Sequence, residues 1–307
     1  MKIILLAILV LPRAIMAKDY YQKNFIDKAH ETLSEDLLVL SNNVDEFFAD
    51  STDEKVINKS KLKITLDTYF REAGGPYVIP EVNYRLILPM TQKKLQLFIE
   101  SEDDDLDDAT NKASESIGES NEIEETNLTA GMKYIAQKSG IDFSTSTGVL
   151  VNVPMVVFSK FNAQKIIVFQ QWILKIDEQI KWVNSKGFTS NLDMNFDRSL
   201  SRKHVLRMVN NVFWNDEDYS IRFKNGPSLF HKIDKTKALS YHAHVISTST
   251  PSLNLQSYLL QTTYRQLVYR KWLFMEASPY VTFSKEANFH RSPGFLLSFE
   301  AVLGYMK

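Results

Sequence analysis

Residues 271–307 read KWLFMEASPYVTFSKEANFHRSPGFLLSFEAVLGYMK. From Trp272 to Phe283 one alternate set is Leu273, Met275, Ala277, Pro279, Val281 and Phe283. The other is Trp272, Phe274, Glu276, Ser278, Tyr280 and Thr282. One face is wholly apolar, while its opposite mixes aromatics with hydroxyls and a carboxylate. The pattern repeats with Phe295, Leu297, Phe299, Ala301, Leu303 and Tyr305 against Leu296, Ser298, Glu300, Val302 and Gly304. Strict alternation over about ten residues describes a strand whose two faces meet unlike surroundings. Strands in globular proteins usually run about five or six residues. Long alternating strands, with an aromatic near the end, predict the closing hairpin of a transmembrane β-barrel.

Working backwards from that hairpin, period two persists. Tyr258, Leu260, Thr262 and Tyr264 oppose Gln261, Thr263 and Arg265. Leu239, Tyr241, Ala243 and Val245 oppose Ser240, His242 and His244, and Tyr219, Ile221 and Phe223 oppose Arg222 and Lys224. The cleanest run sets Phe188, Ser190, Leu192, Met194 and Phe196 against Thr189, Asn191, Asp193, Asn195 and Asp197. Its hairpin partner carries Arg207 on the side of Asp193 and Asp197, so opposite charges face each other across strands. Leu174, Ile176, Ile180 and Trp182 oppose Lys175, Asp177, Gln179 and Lys181. Glu178 falls on the apolar side, which predicts a β-bulge there. Residues 142–163 divide at Asn152-Val153-Pro154 into two short strands. Earlier, Leu128, Ala130, Met132 and Tyr134 oppose Lys133, and Val82, Tyr84, Leu86 and Leu88 oppose Asn83 and Arg85. Leu62, Ile64, Leu66, Thr68 and Phe70 oppose Lys61, Lys63, Thr65, Asp67, Tyr69 and Arg71.

The opening differs in kind. Met1-Lys2, an uncharged apolar run from Ile3 to Leu11, and Ala14-Ile15-Met16-Ala17 match a secretory signal peptide cut after Ala17. The rival, a membrane anchor, needs roughly 20 apolar residues. Phe25, Ala29, Leu33, Leu37, Leu40, Val44 and Phe47 recur every three or four residues, the stripe of an amphipathic helix. That helix would pack on the barrel rim or in its mouth, or bind a periplasmic protein through residues 20–50. Glu100 to Glu125 holds a dozen acids against the single Lys112 and reads as a mobile loop.

The expected fold is therefore an all-β, transmembrane, antiparallel β-barrel of about 14 strands, or about 12 if the weaker divisions fail. A signal peptide (1–17) and a helix with linker (18–55) precede the barrel (56–307), whose acidic loop covers 101–126. The chain has no cysteine, which removes disulfides and thiolate metal sites. Its net charge of −1 and singly scattered basic residues give no nucleic-acid motif.

Several stretches together resemble an uncharacterised family of proteobacterial outer-membrane β-barrel proteins. They are Val44-Asp45-Glu46-Phe47-Phe48, Asn58-Lys59-Ser60-Lys61-Leu62, Leu86-Ile87-Leu88-Pro89, Asn191 to Leu200, and Lys271-Trp272-Leu273-Phe274-Met275-Glu276. The chain departs from that pattern in ending Tyr305-Met306-Lys307, with no terminal aromatic, and in its long acidic insertion. The resemblance implies residence in the bacterial outer membrane. It implies contact with the lipid bilayer and lipopolysaccharide, and with the outer-membrane barrel assembly machinery during biogenesis. It carries over no catalytic residue.

The residues expected to line a polar lumen are Lys63, Asp67, Arg71, Arg85, Asp177, Asp193, Asp197, Arg207, Arg222, His242, His244, Arg265 and Glu276. A structural barrel or passive channel of unknown specificity demands least beyond this pattern. The alternatives are a barrel that docks a periplasmic partner through its helix, and a membrane-embedded hydrolase. For the last, Ser240, His242 and His244 share a face, but no nucleophile motif surrounds them. No metal site, cofactor or catalytic set is expected. Asp103-Asp104-Asp105-Leu106-Asp107-Asp108 lacks the spaced ligands and central glycine of a calcium loop.

Overall fold

The computed structural model describes residues 61–71, 75–87, 94–102, 127–151, 155–217, 219–249, 252–270 and 272–303. The signal peptide, the amphipathic helix and most of the acidic loop lie outside these residues. Fourteen strands form one closed antiparallel barrel: β1 (Lys61–Arg71), β2 (Tyr77–Ile87), β3 (Leu95–Glu102), β4 (Asn127–Lys138), β5 (Ile141–Leu150), β6 (Val156–Phe169), β7 (Trp172–Val183), β8 (Gly187–Ser201), β9 (His204–Asn215), β10 (Ile221–Lys232), β11 (Lys237–Thr248), β12 (Asn254–Tyr269), β13 (Leu273–Ser284) and β14 (Arg291–Leu303). Each strand pairs with its sequence neighbours, and β1 closes the ring on β14 from Leu62↔Leu303 to Arg71↔Gly294. Closure leaves no unpaired edge, as hydrocarbon surroundings demand.

The alternation seen in the sequence becomes sidedness. On β1, Lys63, Thr65, Asp67 and Tyr69 are buried while Ile64, Leu66 and Phe70 are exposed. Buried positions point into the barrel and exposed apolar ones out. A strand of about a dozen residues, at about 3.3 Å per residue and tilted by about 40°, stands roughly 30 Å tall, enough for the apolar band of an outer membrane. Outward aromatics mark both rims: Phe70, Trp182, Phe188 and Tyr258 at one, Tyr134 and Phe169 at the other.

Three hairpins join their strands through residues 139–140, 170–171 and 202–203, all at the end where β1 begins. Ser139 (φ 54°) and Gly140 (φ 72°) give the left-handed pair that a two-residue hairpin needs. Residues 103–126 join β3 to β4 at the opposite end.

Glu178 creates no bulge, contrary to the expectation from its position. Pairing runs unbroken from Ala163↔Glu178 on β6 to Glu178↔Leu192 on β8. The carboxylate stays on the outer wall, where the Ser190 hydroxyl donates to it at 2.7 Å. Register shifts occur instead near Ser199/Ser201, Ile246/Ser247 and Leu267/Tyr269, close to strand ends.

Candidate functional site: the inner wall

Along many strands the inward side chains run apolar, polar, apolar. On β7 they are Ile173, Lys175, Asp177, Gln179, Lys181 and Val183. On β9 Val205 precedes Arg207, Val209 and Asn211, and Phe213 follows. Towards the end away from β1's start, one apolar cluster joins Tyr69, Leu259, Tyr280 and Leu296, with Tyr77 and Ile79 against it. A second joins Phe98, Leu150, Phe158 and Val183. Ile173 and Val205, both wholly buried, sit at the other end. A polar belt thus lies between two apolar zones.

Two ion networks stand in that belt. On one wall Asp197, with no exposed surface, accepts from Arg207 Nε at 2.6 Å and Nη2 at 2.7 Å. Lys175 Nζ lies 3.7 Å from the same carboxylate. The sequence chooses this partner geometrically: Asp197 and Arg207 are directly paired across β8 and β9. Asp193, two inward positions along β8, accepts instead from Asn211 at 3.0 Å, and Asp177 accepts from Asn162 at 2.6 Å. On the other wall Arg265 donates to Glu276, its cross-strand partner, and to Glu300 at 2.8 Å. Asp67 beside them accepts from the Ser298 hydroxyl. Charges held this far from water persist only when paired and hydrogen-bonded.

A third group is built from hydroxyls and imidazoles. Ser228 Oγ lies 2.8 Å from His242 Nδ1 and 3.0 Å from His244 Nε2, and His242 Nε2 lies 2.8 Å from Ser240 Oγ. With one proton, the Ser228 hydroxyl donates to one ring and accepts from the other. Gly226 makes this arrangement possible. Its φ is 154°, and a Cβ there would sit 2.0 Å from the Ala243 carbonyl oxygen. The close approach of β10 to β11 depends on its absence. The two ring nitrogens of His242 lie within hydrogen-bond distance of the Ser228 and Ser240 hydroxyls, which orient the ring. Among the described residues no group of three or more His, Cys, Asp or Glu could hold a metal ion.

All thirteen residues singled out in the sequence occupy inward register positions. Lys63, Asp67, Arg85, Asp197, His244 and Arg265 are buried, while Arg71, Asp177, Asp193, Arg207, Arg222, His242 and Glu276 are partly so. They do not form one site. Arg265 meets Glu276, and Asp197 meets Arg207. Arg71 lies 4.5 Å over the Tyr77 ring and donates to its hydroxyl, and Arg222 lies 4.9 Å over Phe213. Sequence reading missed Glu300, Lys175 and Ser228, although their strand parity was available. What was lacking was the register that brings them to Arg265, Asp197 and His242. His290, in the β13–β14 turn, bonds the Ala287 carbonyl at 2.9 Å.

No family model and no curated protein matches the chain. Solved structures do. The CymD monoaromatic hydrocarbon channel is 10% identical over 82% of this chain and 90% of that one, with a TM-score of 0.50. The chain has the fold of an outer-membrane β-barrel. A bacterial polysaccharide outer membrane secretin (8% identity, 82% of this chain and 100% of that one, TM-score 0.47) resembles it less well. So does a loop L8 deletion mutant of OmpT from Vibrio cholerae (7%, 79% and 98%, TM-score 0.46). Identities this low speak to the fold and not to any cargo.

Proposed function

We propose that the chain is a passive channel of the bacterial outer membrane with a weak preference for anions. One observation carries this reading: the inner wall is charged, and its charge is unbalanced. Inward on the strands stand thirteen bases: Lys61, Lys63, Arg71, Arg85, Lys133, Lys160, Lys175, Lys181, Arg207, Arg222, Lys224, Lys232 and Arg265. Ten acids oppose them at inward register positions: Asp67, Glu81, Glu100, Glu102, Asp142, Asp177, Asp193, Asp197, Glu276 and Glu300. The surplus of three positive charges, behind low-dielectric walls, raises the local concentration of anions. Barrels of 8 strands fill with side chains and those of 16 leave an aqueous path. At 14 strands, with Asp67, Asp197 and Lys63 packed away, the path is narrow.

In this reading the short-hairpin end faces the periplasm and the end carrying residues 103–126 faces outward. The apolar outer wall meets lipid and, in the outer leaflet, lipopolysaccharide. Enzymatic activity is no part of the proposal, because Ser228 is 1% exposed and its imidazole neighbours are oriented by hydroxyls.

The test is reconstitution in a planar bilayer under a potassium chloride gradient. Discrete current steps are expected, with a reversal potential displaced in the anion-selective sense. Absence of steps, or a cation-selective reversal, would overturn the proposal.

A further inference from the structure

The outer wall is apolar at mid-height on every strand but a few. Outward positions near the middle of β1 are Ile64 and Leu66, on β4 Ala130 and Met132, on β14 Leu297 and Phe299. The sector from β7 to β10 differs. Glu178 stands mid-strand on β7, Asn210 on β9 and Asn225 on β10, all outward by register. Elsewhere among the described strands, polar groups between the rims on this face are hydroxyls, apart from Lys165 on β6. Hydrocarbon satisfies no hydrogen bond, so a carboxamide facing it is costly. Glu178 is answered by Ser190 within the chain. The asparagines are answered incompletely.

Asn210 and Asn225 are direct cross-strand partners. Both amide hydrogens of Asn210 go to backbone, to Met194 O at 3.1 Å and Met208 O at 3.3 Å, leaving its Oδ1 as an acceptor. Asn225 is exposed, and its side chain makes no hydrogen bond among the described residues. One site therefore offers a spare acceptor and its neighbour spare donors, at one depth.

We infer that this sector is the contact between two copies of the chain. Symmetric assembly in a bilayer places the two-fold axis along the membrane normal, so each residue meets its counterpart's surface at equal depth. An axis between β9 and β10 sets Asn225 of one copy against Asn210 of the other, twice, giving two reciprocal amide hydrogen bonds. The shape agrees. On one side of that axis Met208, 37% exposed, and Met194 project from β9 and β8. On the other side the outer wall is hollowed by a groove of about 640 Å³, lined by Pro227, Tyr241, Ala243, Leu260, Thr262 and Pro279. The two-fold axis carries each copy's methionines over its partner's groove, and flexible methionine side chains suit an irregular apolar hollow. Lipid would fill the groove equally well but would leave the amides unanswered, which is why a second copy is the better occupant.

The chain has no cysteine, so one introduced cysteine reports alone. Asn225→Cys and Leu66→Cys, the latter on the far wall, are reconstituted in vesicles and treated with a short bis-maleimide. Asn225→Cys is expected to yield a band of twice the chain mass, severalfold stronger than Leu66→Cys. Unaltered protein in detergent should sediment as a dimer and Asn225→Leu as a monomer with the same tryptophan emission. Equal cross-linking at both positions, or a monomer for the unaltered protein, would overturn the inference.

Discussion

The two charged walls inside the barrel solve one problem in opposite ways. Between β7 and β9 a single buried acid, Asp197, is held by two bases, Arg207 and Lys175. Between β12 and β14 a single buried base, Arg265, is held by two acids, Glu276 and Glu300. The first cluster carries one acid to two bases; in the second, Lys63 and Lys61 of β1 also stand near Glu300. The clusters differ also in how their members reach water. Arg207 and Lys175, 13% and 12% exposed, have long stems that can carry their charge towards the lumen. Arg265 is 5% exposed, and its two carboxylates, each 13% exposed, sit on shorter arms than the two bases of the first cluster. The lesson is that the cost of breaking a cluster depends on which members are left and whether they can escape burial.

That difference orders the expected effects. Arg265→Ala strands two acids together in the wall and should cost about 3–5 kcal/mol, the range for orphaning buried charge. Urea unfolding in lipid vesicles, followed by tryptophan emission, reads it. Combining Arg265→Met with Glu276→Gln and Glu300→Gln should recover most of that loss, because no charge is then stranded. Asp197→Ala leaves two bases that can turn to water, so about 2 kcal/mol is expected in the same assay, below the Arg265 value. If Asp197→Ala proves the more damaging, escape into the lumen is not what distinguishes the walls. Lys175→Gln removes a contact at 3.7 Å that Arg207 already duplicates, and should cost under about 1 kcal/mol.

The smallest effect lies outside both walls, in the β10–β11 turn. Asp234 Oδ1 accepts from the Thr236 backbone N–H at 2.6 Å and from its hydroxyl at 2.8 Å. Those bonds, the backbone one foremost, hold its pKa below the ordinary carboxylate value. A depressed folded-state pKa contributes stability above the unfolded value and loses it as pH falls through the folded one. Asp234→Asn should therefore flatten slightly the stability loss on acidification below the usual aspartate range. Identical acid profiles for the two proteins would remove this turn from the account.

Much of the fold was legible because a period of two survives anything done to the ends of a strand. β13 and β14 show it most openly: a one-residue slip would turn Phe299 and Leu297 inward and Glu300 into lipid. Glu178 shows where pattern misleads. A charge on the wrong face reads as a bulge, yet local satisfaction by Ser190 lets the ladder run on. The inner wall was legible residue by residue but not as clusters. Arg265 with Glu276 could be foreseen from one hairpin, whereas Glu300 arrives from the next strand through a register that alternation leaves open. Ser228 lies beyond Phe223 and Lys224, where the alternation read in the sequence stops, and Gly226 just before it brings β10 close to the Ala243 carbonyl of β11.

The most direct test of sidedness is a cysteine scan of β1 in reconstituted vesicles. Each position from Leu62 to Phe70 is replaced singly and labelled with an environment-sensitive fluorophore. The expected result is a strict period of two, with Leu62, Ile64, Leu66, Thr68 and Phe70 quenched by bromo-lipid and Lys63, Thr65, Asp67 and Tyr69 shielded from it. Quenching without that alternation, or protein that stays in solution with no lipid bound, would contradict the account at its root.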